Sequence, residues 1–166
     1  MSICQLFDDV ACLPKNSELA LLKKVVQGHP LSLDDVGEWV VENPLKYHRQ
    51  PVFKGCGFQA WVLTWLPGQV SPIHDHSGSS CCLRVLQGTA IETVFEPQAS
   101  GIVIPKSTAY SFGSVLAGED ADIHRIENST NAAEPLITLH IYRPALLHMN
   151  LYEFNDGRLF RLSPAE

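Results

Sequence analysis

The chain has 166 residues, 45% hydrophobic and 18% charged, which is enough apolar material for one packed core and too much for a disordered chain. With 12 Lys and Arg against 18 Asp and Glu the net charge is −6 and no basic run occurs, which excludes nucleic-acid binding through a basic face and gives no attraction to anionic lipid. Cys4, Cys12, Cys56, Cys81 and Cys82 are odd in number and lack C-x-x-C spacing, so a zinc finger and a disulfide framework are disfavoured and a reducing cytoplasm is expected.

Acids at Asp8 and Asp9 stand where a signal peptide carries bases. Residues 1–46 read as a helical segment. From Ser17 to Gln27, Leu19, Leu22, Val25 and Val26 recur at helical spacing before Gly28 and Pro30. A second helix is expected from Ser32, with Asp34 and Asp35 in its first turn, Leu33, Val36, Trp39 and Val40 as its apolar face, and Asn43-Pro44 as its stop. The uncharged stretch from Gly55 to Ile73 includes Gln59, Pro67, Gly68 and Gln69, and reads as a strand and turn, not a membrane span.

Beyond Pro44 the period shortens. Strands are expected at Phe58 to Leu66, Cys81 to Leu86, Thr89 to Phe95, Gly101 to Ile104, Ile123 to Asn128 and Leu136 to Tyr142, with Gly and Pro turns between them. Residues 47–166 are therefore expected to form a β-sandwich or jelly roll, with the helices packed on one face of a single domain 1–166.

His74-Asp75-His76 places two imidazoles at i and i+2, on one face if they lie on a strand, where both can reach one cation. A third ligand has to come from elsewhere. In Leu136 to Tyr142, alternation sets Thr138, His140 and Tyr142 on one face and Ile137, Leu139 and Ile141 on the other. Such a polar face either lines a site or lies in water on an edge strand. His29, His48 and His148 read as surface residues or helix-end partners.

The spacing of Gly68, His74, His76, Cys81 and Gly88 resembles the first motif of the cupin superfamily, with Cys81 in place of its Glu. Gly113, His124 and Asn128 resemble the second motif, with Glu119 and Ala121 replacing its usual Pro and second Gly. The resemblance implies a mainly β cupin jelly-roll barrel and a metal held by His74, His76 and His124, without the carboxylate ligand. Three neutral imidazoles leave a divalent metal its full charge, which suits an anionic substrate such as a thiolate.

Tyr47-His48-Arg49, Pro72 to His76, Leu86-Gln87-Gly88, His124 to Asn128 and Leu139 to Tyr142 together resemble the cysteine dioxygenase family, the type I thiol dioxygenases. That resemblance implies a cytoplasmic Fe(II) enzyme that adds both atoms of O₂ to L-cysteine and yields cysteine sulfinate. It is expected to act as a monomer, with no nucleic-acid or membrane partner. It places Arg49 on the substrate carboxylate, Tyr47 at that end of the pocket and Tyr142 beside the iron. His140 would orient Tyr142, and Thr138 would bond His140 in place of a family Ser. Animal-type members join a Cys at the position of Cys81 to the Tyr matching Tyr142 by a thioether, whereas many bacterial members have Gly there. Met149 stands where the animal-type members carry another Cys near the pocket. A mercaptopropionate-type subgroup has Gln where this chain has Arg49, although Gln50 is adjacent. Two alternatives follow: a 3-mercaptopropionate dioxygenase, and a non-catalytic metal-binding cupin sensor.

Overall fold

A computed structural model describes residues 2–14 and 17–163; residues 1, 15–16 and 164–166, which the helical and barrel readings also span, lie outside them. Helix α1 (Ile3–Ala11) begins at Ser2, whose hydroxyl accepts from the Gln5 N–H. Its buried residues Ile3, Leu6, Phe7 and Val10 recur three and four apart and form one apolar face. Helix α2 (Leu19–Gly28) buries Leu22 and Val26. At its end His29 donates from Nδ1 to the Val25 carbonyl at 2.9 Å, the helix-end role expected of it.

The helix expected from Ser32 is instead two 3₁₀ turns, Leu33–Asp35 and Gly37–Trp39. Ser32 and Asp35 do form a capping box. Val36, however, adopts φ −131° and ψ 1°, which interrupts the helix before Gly37. Leu33, Val36 and Trp39 lie three apart, a spacing that fits a 3₁₀ turn as well as an α-helix.

The remainder is β structure: β1 (His48–Gly55), β2 (Phe58–Trp65), β3 (Ile73–His74), β4 (Ser80–Gln87), β5 (Thr89–Pro97), β6 (Val103–Ser111), β7 (Val115–Gly118), β8 (His124–Asn128), β9 (Leu136–Arg143), β10 (Leu151–Asn155) and β11 (Arg158–Arg161). They form a five-stranded sheet ordered β1-β2-β9-β4-β7 and a six-stranded sheet ordered β11-β10-β3-β8-β5-β6. The fold is the expected mainly β jelly roll with helices packed on it. The strand expected from Gly101 starts at Val103 and continues to Ser111. Pro51 and a bulge between Pro51 and Phe53 obscure β1, an edge strand where Pro is tolerated. Gly88, at φ +76°, turns β4 into β5, and a Cβ there would lie 3.2 Å from the Leu136 Cα.

The core has two layers. Outside the five-stranded sheet, Leu6, Val10, Leu22 and Val26 of the helices pack on Phe58, Val62, Leu139 and Ile141. Arg84 of β4 reaches this layer and donates to the Val26 carbonyl at 3.2 Å, placing a cation at the C-terminal end of α2. Between the sheets, Leu63, Trp65, Leu83, Leu116 and Ile126 form the second layer. Replacing Leu6, which is fully buried, with Ala should cost about 2–5 kcal/mol in urea unfolding. A loss under about 1 kcal/mol would mean that α1 contributes little packing to the sheet.

Candidate metal centre and pocket

His74 ends β3, and its Cα partner across the β3–β8 pair is His124. His76 lies beyond the strand, so strand alternation does not place it; its N–H donates to the Asp120 carbonyl at 3.0 Å. The three rings nevertheless converge, with one nitrogen from each within 4.8 Å of the others, and all three residues are buried. The His124 and His76 Nε2 atoms face each other at 3.4 Å. His74 donates from Nδ1 to the Pro72 carbonyl at 2.9 Å, which leaves its Nε2 lone pair free. Burial, then the neighbouring His124, lowers the His74 pKa to about 4. Burial, then His124 and His74, lowers that of His76 to about 3. Neutral nitrogens with converging lone pairs fit a transition-metal cation.

Asp75 lies between these ligand candidates but turns its carboxylate away from them. It accepts from the Ser77 N–H at 3.0 Å, the Asn150 side chain at 3.0 Å and the Tyr152 hydroxyl at 2.7 Å. Burial opposes its charge, but the bonds from Tyr152 and Asn150 outweigh that and hold its pKa below the usual value.

Strand β9 supplies the opposite wall, with the alternation expected. Ile137, Leu139 and Ile141 enter the layer beneath the helices. Thr138, His140 and Tyr142 face inward and form a chain of hydrogen bonds. The Trp65 indole donates to Thr138 Oγ1 at 3.0 Å, Thr138 Oγ1 lies 2.9 Å from His140 Nε2, and His140 Nδ1 lies 3.3 Å from the Tyr142 hydroxyl. Burial, then Arg49, holds His140 well below its ordinary pKa, so its ring is neutral. Burial, then Cys81, raises Tyr142 well above its own, so the phenol keeps its proton. Cys81 is the Cα partner of Tyr142 across β4 and β9, whereas Cys82 points into the layer under the helices.

Tyr47 stacks on Trp65 with ring centroids 4.2 Å apart. The Arg49 guanidinium lies over the Trp61 ring, 5.1 Å from its centroid. Arg49 pairs with Leu63, whose side chain packs between the sheets, whereas Gln50 pairs with Val62 of the outer layer. Arg49 thus enters the pocket and Gln50 does not. Among the described residues no carboxylate forms an ion pair with Arg49, and its Nε is buried without a partner. Tyr47, Arg49, His140 and Tyr142 share a cavity of about 30 Å³ with the three histidines, Cys81 and Met149. Clefts of about 520 and 320 Å³ lie beside it, and Arg49 lines all three spaces. Such a site suits a small anion entering from outside. Thr138 stands behind His140 and does not line the cavity.

Two residues near this pocket escaped the sequence analysis. Trp61 is the Cα partner of His140 and so shares the inner face of the five-stranded sheet. Glu92 of β5 holds His124 Nδ1 at 2.7 Å. The signal for Glu92 was present: it stands two residues from Ala90, an inner-layer residue, and so shares its face of β5.

Metal-free protein should lose stability as pH falls below about 6.5, because the unfolded chain then takes up protons at His74 and His76. The folded chain refuses them until about pH 4 and pH 3 respectively. The fall in urea midpoint between about pH 7.5 and pH 5 should shrink in the His76→Ala variant. An identical fall in both proteins would show that His76 takes up its proton within the fold.

Residues 21–155 match the family model described as cysteine dioxygenase type I. The chain is 36% identical over 117 residues to cysteine dioxygenase type 1 of Rattus norvegicus, covering 68% of this chain and 58% of the rat protein. It is 34% identical over 131 residues to cysteine dioxygenase type 1 of Homo sapiens, covering 74% of this chain and 65% of the human protein. The match therefore spans less than two thirds of either relative's length. A Klebsiella pneumoniae protein with a double-stranded β-helix domain superposes with a TM-score of 0.57 at 24% identity, over 70% of this chain and 87% of that one, a likeness of fold. No described helix is long and apolar enough to cross a membrane. From its sequence match over most of its length, the chain belongs to the cysteine dioxygenase type I family.

Proposed function

We propose that the chain is a cytoplasmic thiol dioxygenase that converts L-cysteine and O₂ to cysteine sulfinate, with Fe(II) held by His74, His76 and His124. One observation carries this reading: Arg49, a cation without a carboxylate partner among the described residues, lines the same cavity as three converging imidazoles. Both oxygen atoms end on sulfur. The sulfur gives up four electrons and O₂ takes four, so no further reductant is needed. Fe(II), when bound, supplies the centre through which thiolate and O₂ exchange electrons.

The protein's own groups position the reactants. Arg49 offers a planar fork of donors to the substrate carboxylate, and Trp61 packs against one face of that fork. Tyr47, braced by Trp65, closes that end of the pocket. Thr138 and His140 orient the Tyr142 hydroxyl from behind, so that its proton can be presented to an oxygen on which negative charge develops. Leu63, Leu116, Ile126 and Met149 give the cavity apolar walls that limit water.

Oxygen uptake by protein loaded anaerobically with Fe(II) tests this reading. Uptake should be faster with L-cysteine than with 3-mercaptopropionate at matched concentration. The reverse order would make the chain a mercaptopropionate-type enzyme, and no uptake with either would favour a metal-binding sensor. Arg49→Ala should raise KM for L-cysteine by about 10- to 100-fold, the effect of losing a charge-assisted pair. His124→Ala should abolish iron retention and turnover together; retained iron with full turnover would remove His124 from the centre.

The reading extends to a thioether between Cys81 Sγ and a ring carbon of Tyr142. The two residues are opposed across β4 and β9 and line one cavity. The bond forms with loss of one hydrogen from the thiol and one from the ring, together two protons and two electrons, which O₂ accepts to give hydrogen peroxide. Incubation with Fe(II), L-cysteine and O₂ should lower the chain's mass by two hydrogens, and Cys81→Ser should prevent the change. An unaltered mass after many turnovers would exclude the bond.

A further inference from the structure

We propose that Glu92 is the positioning residue of the metal centre: its carboxylate holds the His124 ring through Nδ1 and supplies, at one remove, the negative charge that three imidazoles lack. The inference rests on the assignment of His74, His76 and His124 as metal ligands.

Glu92 lies in the middle of β5, where its Cα partner is Ile126 of β8 and that of Val94 is His124. Glu92 and His124 are therefore diagonal neighbours across one antiparallel pair, close enough for direct side-chain contact. Their side chains are 17% and 11% exposed, and the bond is 2.7 Å long. A carboxylate on the inner face of a small barrel is costly without a partner. Among the described residues, the only side chain that bonds this one belongs to His124.

The three candidate ligands are supported in different ways. His74 leans on a neutral backbone carbonyl. The His76 Nδ1 is buried with no partner. His124 alone contacts a carboxylate. A proton fixed on Nδ1 by Glu92 leaves the Nε2 lone pair of His124 facing the other rings, where it stands 3.4 Å from His76 Nε2. The carboxylate also stabilises positive charge spreading onto the His124 ring when Nε2 binds a cation. In many cupins a carboxylate binds the metal directly. Here Cys81 occupies that sequence position, and Glu92 restores an anion from behind one imidazole.

Co(II) titration of the chelator-stripped full chain tests this, because binding and geometry are read from the Co(II) visible spectrum without turnover. Glu92→Gln keeps an acceptor oxygen and removes the charge; Glu92→Ala removes both. The dissociation constant should rise by about 10- to 100-fold in Glu92→Ala and by a smaller factor in Glu92→Gln, with a shifted visible band in Glu92→Ala. Circular dichroism and thermal unfolding of the metal-free variants should match those of the unaltered chain. If Glu92→Ala does not fold, the nearly isosteric Glu92→Gln decides alone. Unchanged affinity in every folded variant would overturn the role of Glu92 and leave the metal centre standing. Failure of the unaltered chain to bind Co(II) would overturn the metal centre and this inference together.

Discussion

Strand β9 is buried on both faces, and the rest of the molecule is arranged around that constraint. It lies in the middle of the five-stranded sheet, with β2 and β4 as neighbours. Every residue from Leu136 to Tyr142 is buried. A buried strand ordinarily carries apolar residues on both sides. Here one side is apolar and carries the helices, while the other holds Thr138, His140 and Tyr142. Those polar groups are tolerated because they satisfy one another in sequence from the Trp65 indole onward. A slip of one residue in register would put the hydroxyls and imidazole under the helices, and the isoleucines and leucine into the pocket.

The electrostatics of the pocket follow from the same enclosure. Burial is the largest influence on His74, His76, His140, Cys81 and Tyr142, and in each case it favours the neutral form. Arg49 brings a permanent positive charge that reaches all five. It disfavours protonated imidazoles and favours anions. Glu92, the carboxylate of this cavity, is held by His124, so Arg49 stands without an ion-pair partner among the described residues and favours a negatively charged ligand. Aromatic contacts brace this end of the pocket, Trp61 against Arg49 and Trp65 against Tyr47.

Much of this arrangement was legible in the chain. The period of two in Leu136 to Tyr142 located both faces of β9, and the glycine and histidine spacing marked the first motif. Gly88 shows why such a motif glycine is constrained: the chain needs positive φ there and the Leu136 backbone leaves no room for a Cβ. What escaped notice depended on pairing between distant segments. β3 is two residues long and exists through its partners β8 and β10, so it has no periodicity of its own. His76 belongs to the cluster through a loop whose shape is set by Asp120, forty-odd residues away in sequence. The region after Ser32 failed for another reason: an apolar spacing of three serves both helix types, and only the backbone at Val36 distinguishes them.

The Asp75 carboxylate has a consequence for the dynamics of the chain's last strands. It fastens Asn150 and Tyr152 directly to the segment between two histidines, and Arg161 of β11 bonds Asn150 in turn. Fraying of the β10–β11 hairpin would therefore strip Asp75 of buried donors and loosen the loop that carries His76. By linkage, a cation or substrate that favours the ordered loop must slow amide exchange in a hairpin that contributes no histidine to the cluster. The terminal hairpin is thus tied to the pocket twice, by the pairing of β10 with the strand that carries His74 and by one acidic side chain beside it.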